Sequence, residues 1–274
     1  MSDRPDTDAF DVETASAAVE RVESEIGERI VGQETVVRQL LVCLLTGGNA
    51  LVEGIPGLGK TLLIRTLAEA IDLSFARIQN TPDLMPSDIT GTEVLRESGD
   101  DRVFVFEEGP VFANVVLADE INRATPKTQA ALLEAMAEGQ VTAGGETRAL
   151  PEPFFVLATQ NPIDQEGTYP LPEAQRDRFE MKITITPPSF DEELAIVDRY
   201  TGTIDPAPPV ETVLTGDELR AIQALVRQVP IADDIRERAV RLVADTRTAD
   251  RLEYGASPRA SMALVVGAKA HALV

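Results

Sequence analysis

The chain has 274 residues, long enough for one large domain or a large and a small one, and 43% of them are hydrophobic. Acidic residues number 46 against 25 basic ones, a formal net charge of −21, and a surface that acidic repels phosphate backbones and counts against nucleic-acid binding. Lysine occurs only at Lys60, Lys127, Lys182 and Lys269, a balance that points to a halophilic cytoplasm, where salt screens self-repulsion, with an ordinary acidic protein as the alternative.

Residues 1–11 read as a frayed acidic tail, without the basic and apolar regions of a secretory signal. From Val12 to Ile30, the apolar residues Val19, Val22 and Ile26 recur at helical spacing. Gly32 breaks that helix, and a second carries Val37, Leu40, Leu41, Leu44 and Leu45 as far as Gly47-Gly48. Cys43 lies in this apolar stretch and reads as a buried thiol; as a lone cysteine it excludes an internal disulfide and a cysteine-based zinc site. A short strand over Ala50–Glu53, a glycine-rich turn and a helix over Lys60–Ala70 follow, then a strand over Phe75–Ile78. Residues 80–100 read as a long loop. Val115–Ala118 is a buried strand, Thr128–Ala137 an amphipathic helix, and Val141–Leu150 a hairpin centred on Gly144-Gly145. Buried strands are expected at Phe154–Ala158 and Met181–Ile185. Apolar strands alternating with helices imply an α/β fold with a parallel sheet covered on both faces. Pro187-Pro188 closes that layer, and helices are expected at 190–200, 216–228, 232–248 and from about Arg259, with a proline-rich loop at 206–209. No run approaches the roughly 18–20 apolar residues that span a bilayer, so a cytoplasmic protein is expected, with no membrane insertion.

Chemistry concentrates at three strand ends. Gly54-Ile55-Pro56-Gly57-Leu58-Gly59-Lys60-Thr61 fits the phosphate-binding loop G-x-x-x-x-G-K-[ST]. Its glycines let backbone amides turn inward on phosphate oxygens, Lys60 would neutralise the β- and γ-phosphates, and the Thr61 hydroxyl would hold Mg²⁺. Val115-Val116-Leu117-Ala118-Asp119-Glu120 is an apolar strand ending in two carboxylates. Downstream of a phosphate loop, Asp119 would hold Mg²⁺ and Glu120 would activate the attacking water. Asn161, after Phe155–Gln160, either holds that water against the γ-phosphate or is an ordinary turn residue before Pro162. Arg178 and Arg259 are each either surface ion-pair partners or charge-neutralising groups of an ATPase.

In this order, with Val31-Gly32-Gln33 ahead of a helix, the motifs resemble an AAA+ module, a P-loop NTPase. The longer blocks resemble the MoxR family. They are Thr81–Gly91, similar to that family's helix-2 insertion; Gly109–Asn114 running into Asp119–Ala124; Pro126–Gln129; Leu133–Met136; and Gln165–Gln175. The resemblance implies Walker A at Gly54–Thr61, Walker B at Asp119 and Glu120, and sensor 1 at Asn161. It further implies an adenine pocket at Val31 and Gly32, a hairpin before sensor 1 at Gly144-Gly145, and sensor 2 at Arg259 in Ser257-Pro258-Arg259. Arg178 matches the arginine finger that completes a neighbour's site, although Arg176 stands two positions away. Asn80 and Arg176 stand where the family pattern is apolar.

The reading is thus an acidic tail over 1–11, a P-loop α/β domain over 12–187, and an all-helical lid over 188–274 that is expected to be incomplete at its C-terminus. The resemblance implies ATP and Mg²⁺ as cofactors and a homo-oligomeric ring, usually a hexamer. It also implies a client protein to be remodelled or matured, often beside a von Willebrand A domain partner. The alternatives are a magnesium-chelatase-type motor subunit, a nucleotide-gated assembly protein with little turnover and, disfavoured by charge, a DNA-linked motor.

Overall fold

The computed structural model describes residues 10–98, 101–161, 168–202 and 209–274. Most of the tail, the first part of the block Gln165–Gln175 and most of the proline-rich loop lie outside them. Asp11, at the tail's end, is instead the cap of the first helix: its Oδ1 accepts the Thr14 N–H at 2.7 Å, satisfying an amide that the helix itself leaves unpaired. Helices α1 (Val12–Arg29) and α2 (Glu34–Thr46) precede strand β1 (Ala50–Glu53). Then come α3 (Lys60–Ala70), β2 (Phe75–Gln79) and α4 (Pro86–Thr90), followed by β3 (Gly91–Ser98), β4 (Asp101–Glu108), β5 (Val115–Asp119) and α5 (Pro126–Glu138). The chain continues through β6 (Gln140–Ala143), β7 (Glu146–Ala149), β8 (Phe155–Gln160), α6 (Glu173–Arg176) and β9 (Met181–Thr184) to α7 (Phe190–Thr201), α8 (Gly216–Gln228), α9 (Asp233–Thr246) and α10 (Pro258–His271). None of the described helices is long and apolar enough to cross a membrane.

Five strands form one parallel sheet in the order β2-β5-β8-β1-β9. Successive side chains on a strand face opposite ways, so each strand feeds two cores. Ala50, Val52, Val115, Leu117, Phe155, Leu157 and Ile183 pack with α1, α2 and α3 on one face, and with Leu219, Ile222 and Val226 of α8 and Ala270 of α10. Leu51, Val116, Ala118, Val156 and Ala158 pack on the other face with Ile89 of α4 and Leu132, Leu133 and Ala135 of α5. Cys43 is 1% exposed in the first core, and burial pushes its thiol pKa well above the ordinary range. Helix α7 is tied to the C-terminal end of α1: Arg199 Nη1 donates to Glu28 O and Tyr200 O–H to Arg29 O.

One expectation is overturned. Residues 80–100 are not a long loop but contain α4 and β3, and β3 pairs antiparallel with β4 in the register Val94↔Val105, Leu95↔Phe104. Pro86 stands at the start of α4, where a missing N–H costs nothing. The β3–β4 hairpin stands clear of the main sheet with Leu95, Val103 and Phe104 exposed, so its strands have no clean apolar face to announce them. The hairpin expected at Gly144-Gly145 is present as β6–β7, with both glycines at positive φ.

Candidate nucleotide site

The C-terminal ends of β1, β5 and β8, adjacent in the sheet, open on a cleft of about 420 Å³. That is where open parallel α/β sheets bind ligands. Gly54, Pro56, Gly57, Leu58, Gly59, Lys60 and Thr61 line it after β1; Asp119 and Glu120 line it after β5, and Asn161 after β8. Ile55 contributes its backbone: Lys60 Nζ donates to Ile55 O at 2.8 Å and to Gly54 O at 2.7 Å, holding the loop closed around the ammonium. Gly57 and Gly59 take φ of 87° and 73°, a region that costs other residues about 1 kcal/mol or more. Gly59 also caps α3 without a side-chain hydrogen bond to its first turn, so the positive end of the helix faces the cleft. Partial burial lowers the Lys60 pKa, while the nearby Asp119 and Glu120 carboxylates oppose that shift.

One hydroxyl anchors the Asp119 carboxylate and the Glu120 main chain. Thr159 on β8 is 1% exposed; its Oγ1 donates to Asp119 Oδ1 at 2.6 Å and accepts the Glu120 N–H at 2.8 Å. Glu120 sits at φ 56°, ψ 52°, a left-handed conformation that a non-glycine residue keeps only under constraint. Its carboxylate pairs with Arg123 Nε at 2.7 Å. Asp119 Oδ2 accepts Arg77 Nη2 at 2.5 Å and Nε at 3.2 Å. These groups fit a nucleoside triphosphate with a divalent cation: a glycine cradle, a helix N-terminus and an ammonium for the phosphates, and the Thr61 hydroxyl with the Asp119 carboxylate as hard oxygen donors.

Four expected site residues lie elsewhere. Val31 and Gly32 border a separate hollow of about 260 Å³ with Ala195 and Arg199 of α7, and a side chain at Gly32 would collide with the Glu192 carboxylate. Arg178 does not line the cleft; its Nη1 donates to Leu133 O on α5 at 2.5 Å. Arg259 is exposed in the first turn of α10, where its N–H donates to Ser257 Oγ at 3.2 Å. The Ser257 hydroxyl donates to Asp177 Oδ1 at 2.9 Å, so the Arg176–Arg178 segment touches the start of α10.

The model of the ATPase family associated with various cellular activities (AAA) matches residues 49–181, from the residue before β1 to the first residue of β9. YeaC of Bacillus subtilis is 45% identical over 91% of this chain and 77% of its own length. Chaperone MoxR1 of Mycobacterium tuberculosis is 45% identical over 93% of this chain and 69% of its own. Protein MoxR of Methylorubrum extorquens is 33% identical over 93% of this chain and 80% of its own. The chain belongs to the MoxR family of AAA+ ATPases. A crystal structure of a candidate ATPase from Cytophaga hutchinsonii superposes with a TM-score of 0.88 at 42% identity, over 96% of this chain and 81% of that one.

Four residues around the cleft of this MoxR-family ATPase escape the sequence reading. Arg77 and Gln79 enter it from β2, and Thr159 from β8. Asn80, unexpected as a polar residue at its position, is 1% exposed, and its N–H and its Nδ2 both donate to Asp119 O, at 3.0 and 2.9 Å. Buried donors so paired cost little. The period-two alternation of β2 places Arg77 and Gln79 on one face, and that signal is present in the sequence. What the sequence lacks is the pairing of β2 with β5, a strand 40 residues downstream.

Proposed function

We propose that the cleft binds ATP with Mg²⁺ and hydrolyses it by in-line attack of water on the γ-phosphate. The observation that carries this reading is the convergence of the Gly54–Thr61 loop, Asp119, Glu120 and Asn161 on one cleft. In the proposal the loop amides and Lys60 hold the phosphates and offset the charge that grows in the transition state. Thr61 and Asp119 are the residues that would hold Mg²⁺, which would supply neutralisation of the phosphate charge. Glu120 takes the proton of the attacking water, and Asn161 orients that water. The left-handed backbone and the Thr159 hydrogen bond fix the Glu120 main chain, so its carboxylate swings about a set origin.

The proposal extends to assembly. Arg178 lies outside its own chain's cleft and is the group that would complete a neighbour's site in a ring, a hexamer by family resemblance. Val31, Gly32 and Arg259 would close on the nucleotide from the adenine side and from the helical lid. Turnover would then drive movements between subunits that remodel a client protein, beside a von Willebrand A domain partner. The name Chaperone MoxR1, carried by a 45% identical relative, supports that direction. The test is Glu120→Gln. It is expected to bind ATP within a few-fold of the parent and to hydrolyse it roughly 10²–10⁴-fold more slowly, the usual worth of a general base. Undiminished turnover removes Glu120 from that role.

A further inference from the structure

We infer that Arg77 sets how tightly the cleft holds a divalent cation: its guanidinium competes with the cation for Asp119 Oδ2 and transfers to the phosphates when nucleotide and cation arrive together. The inference rests on the proposed role of Asp119 as the metal-facing carboxylate. Its basis is the register of β2 against β5, in which Arg77 pairs with Leu117 and Gln79 with Asp119. Alternation then brings Arg77, Gln79 and Asp119 to the same sheet face, the one covered by α3, since Leu117 packs in that core. Both oxygens of Asp119 are engaged. Thr159 donates to Oδ1 at 2.6 Å, and Arg77 covers Oδ2 with Nη2 at 2.5 Å and Nε at 3.2 Å.

The partners differ in freedom. The Asp119 side chain is 13% exposed and pinned by Thr159, whereas that of Arg77 is 45% exposed. The arginine is therefore the partner that moves. Arg77 Nη2 also donates to Gln79 Oε1 at 2.7 Å, a neutral acceptor that can steady the guanidinium after it leaves the carboxylate. A guanidinium stays protonated at any working pH, and it cannot share Oδ2 closely with a second cation. A cation arriving alone meets a carboxylate whose charge is already balanced. A cation arriving with a triphosphate does not, because the phosphates give Arg77, which lines the same cleft as Lys60, another anionic partner. The competition favours binding of metal and nucleotide as a unit over binding of metal by itself.

The experiment titrates the nucleotide-free full chain with Mn²⁺ and reads free Mn²⁺ by electron paramagnetic resonance. A half-exposed ion pair is worth about 1 kcal/mol or less, so Arg77→Gln is expected to lower the Mn²⁺ concentration at half-saturation by roughly 3- to 5-fold. With saturating Mn²⁺, which takes Oδ2 from the guanidinium, the same variant is expected to bind a non-hydrolysable ATP analogue more weakly by a similar factor. Unchanged or weaker Mn²⁺ binding in Arg77→Gln, with Asp119→Asn weakening it, would mean that Arg77 only orients Asp119 and overturns the inference. Unchanged analogue affinity in saturating Mn²⁺ overturns the transfer to the phosphates. Mn²⁺ binding unaffected by Asp119→Asn overturns instead the reading of Asp119 itself. Should Arg77→Gln fail to fold, Arg77→Lys, which loses the two-point grip on Oδ2 but keeps the charge, must still bind Mn²⁺ more tightly than the parent; if it does not, the inference fails.

Discussion

Two groups of charged residues in this molecule are built on opposite principles. Lys60, Asp119 and Glu120 converge from the ends of β1 and β5, and each is gripped by a partner of the cleft or its floor: loop carbonyls for Lys60, the Thr159 hydroxyl for the Asp119 carboxylate and the Glu120 main chain. Arg178 and Arg259 sit away from the cleft, one held to a helix carbonyl and the other exposed at a helix start. Preorganisation of the first group suits binding and proton transfer, which need fixed geometry. A place outside the cleft, as in the second, suits groups that engage only when another surface arrives. The chain thus holds the groups of its proposed phosphoryl-transfer site firmly and carries other charges at its periphery.

The comparison can be broken from either side. Arg178→Ala should bind ATP like the parent and turn it over about a thousandfold more slowly, the lower range for a trans arginine. Mixing it with Lys60→Ala subunits, which lack a working cleft but keep Arg178, should restore turnover; failure to rescue leaves Arg178 structural and makes Arg176 the next residue to test. Lys60→Ala removes the charge that closes the phosphate loop and should weaken ATP binding by about two orders of magnitude, measured by titration calorimetry. Retained tight binding would reject the loop as the phosphate site. Thr159→Val sharpens the account of the cleft floor. It strips a buried donor from Asp119 and an acceptor from the Glu120 N–H, and should lower the unfolding free energy by about 1–3 kcal/mol in a urea titration. No change there would mean that Asp119 and the Glu120 main chain hold their places without it.

How much of this was legible beforehand follows from burial. Strands β1, β5 and β8 are covered on both faces, so Ala50–Val52, Val115–Ala118 and Phe155–Ala158 are unbroken apolar runs whose polar ends mark the site. The β3–β4 hairpin carries Leu95, Val103 and Phe104 into solvent, and without a buried face its alternation passes for loop. Thr159 and Arg77 act through tertiary neighbours: one bridges β8 to β5, the other β2 to β5. Nothing local to Ala158-Thr159-Gln160 or Arg77-Ile78-Gln79 announces that. Asn80 is the same case, a polar residue whose partner is a backbone carbonyl on a strand far along the chain. Glu120 was legible as a strand-end acid, but its left-handed backbone was not, because glutamate has no preference for that region.

The central claim is that the cleft is an ATP-hydrolysing site completed by a neighbour. It is tested most directly by ATP turnover per chain as a function of protein concentration, with divalent cation present in molar KCl. A specific rate that climbs with concentration and vanishes in Glu120→Gln is the predicted result. A flat, negligible rate at every concentration, despite measurable ATP binding, would contradict it.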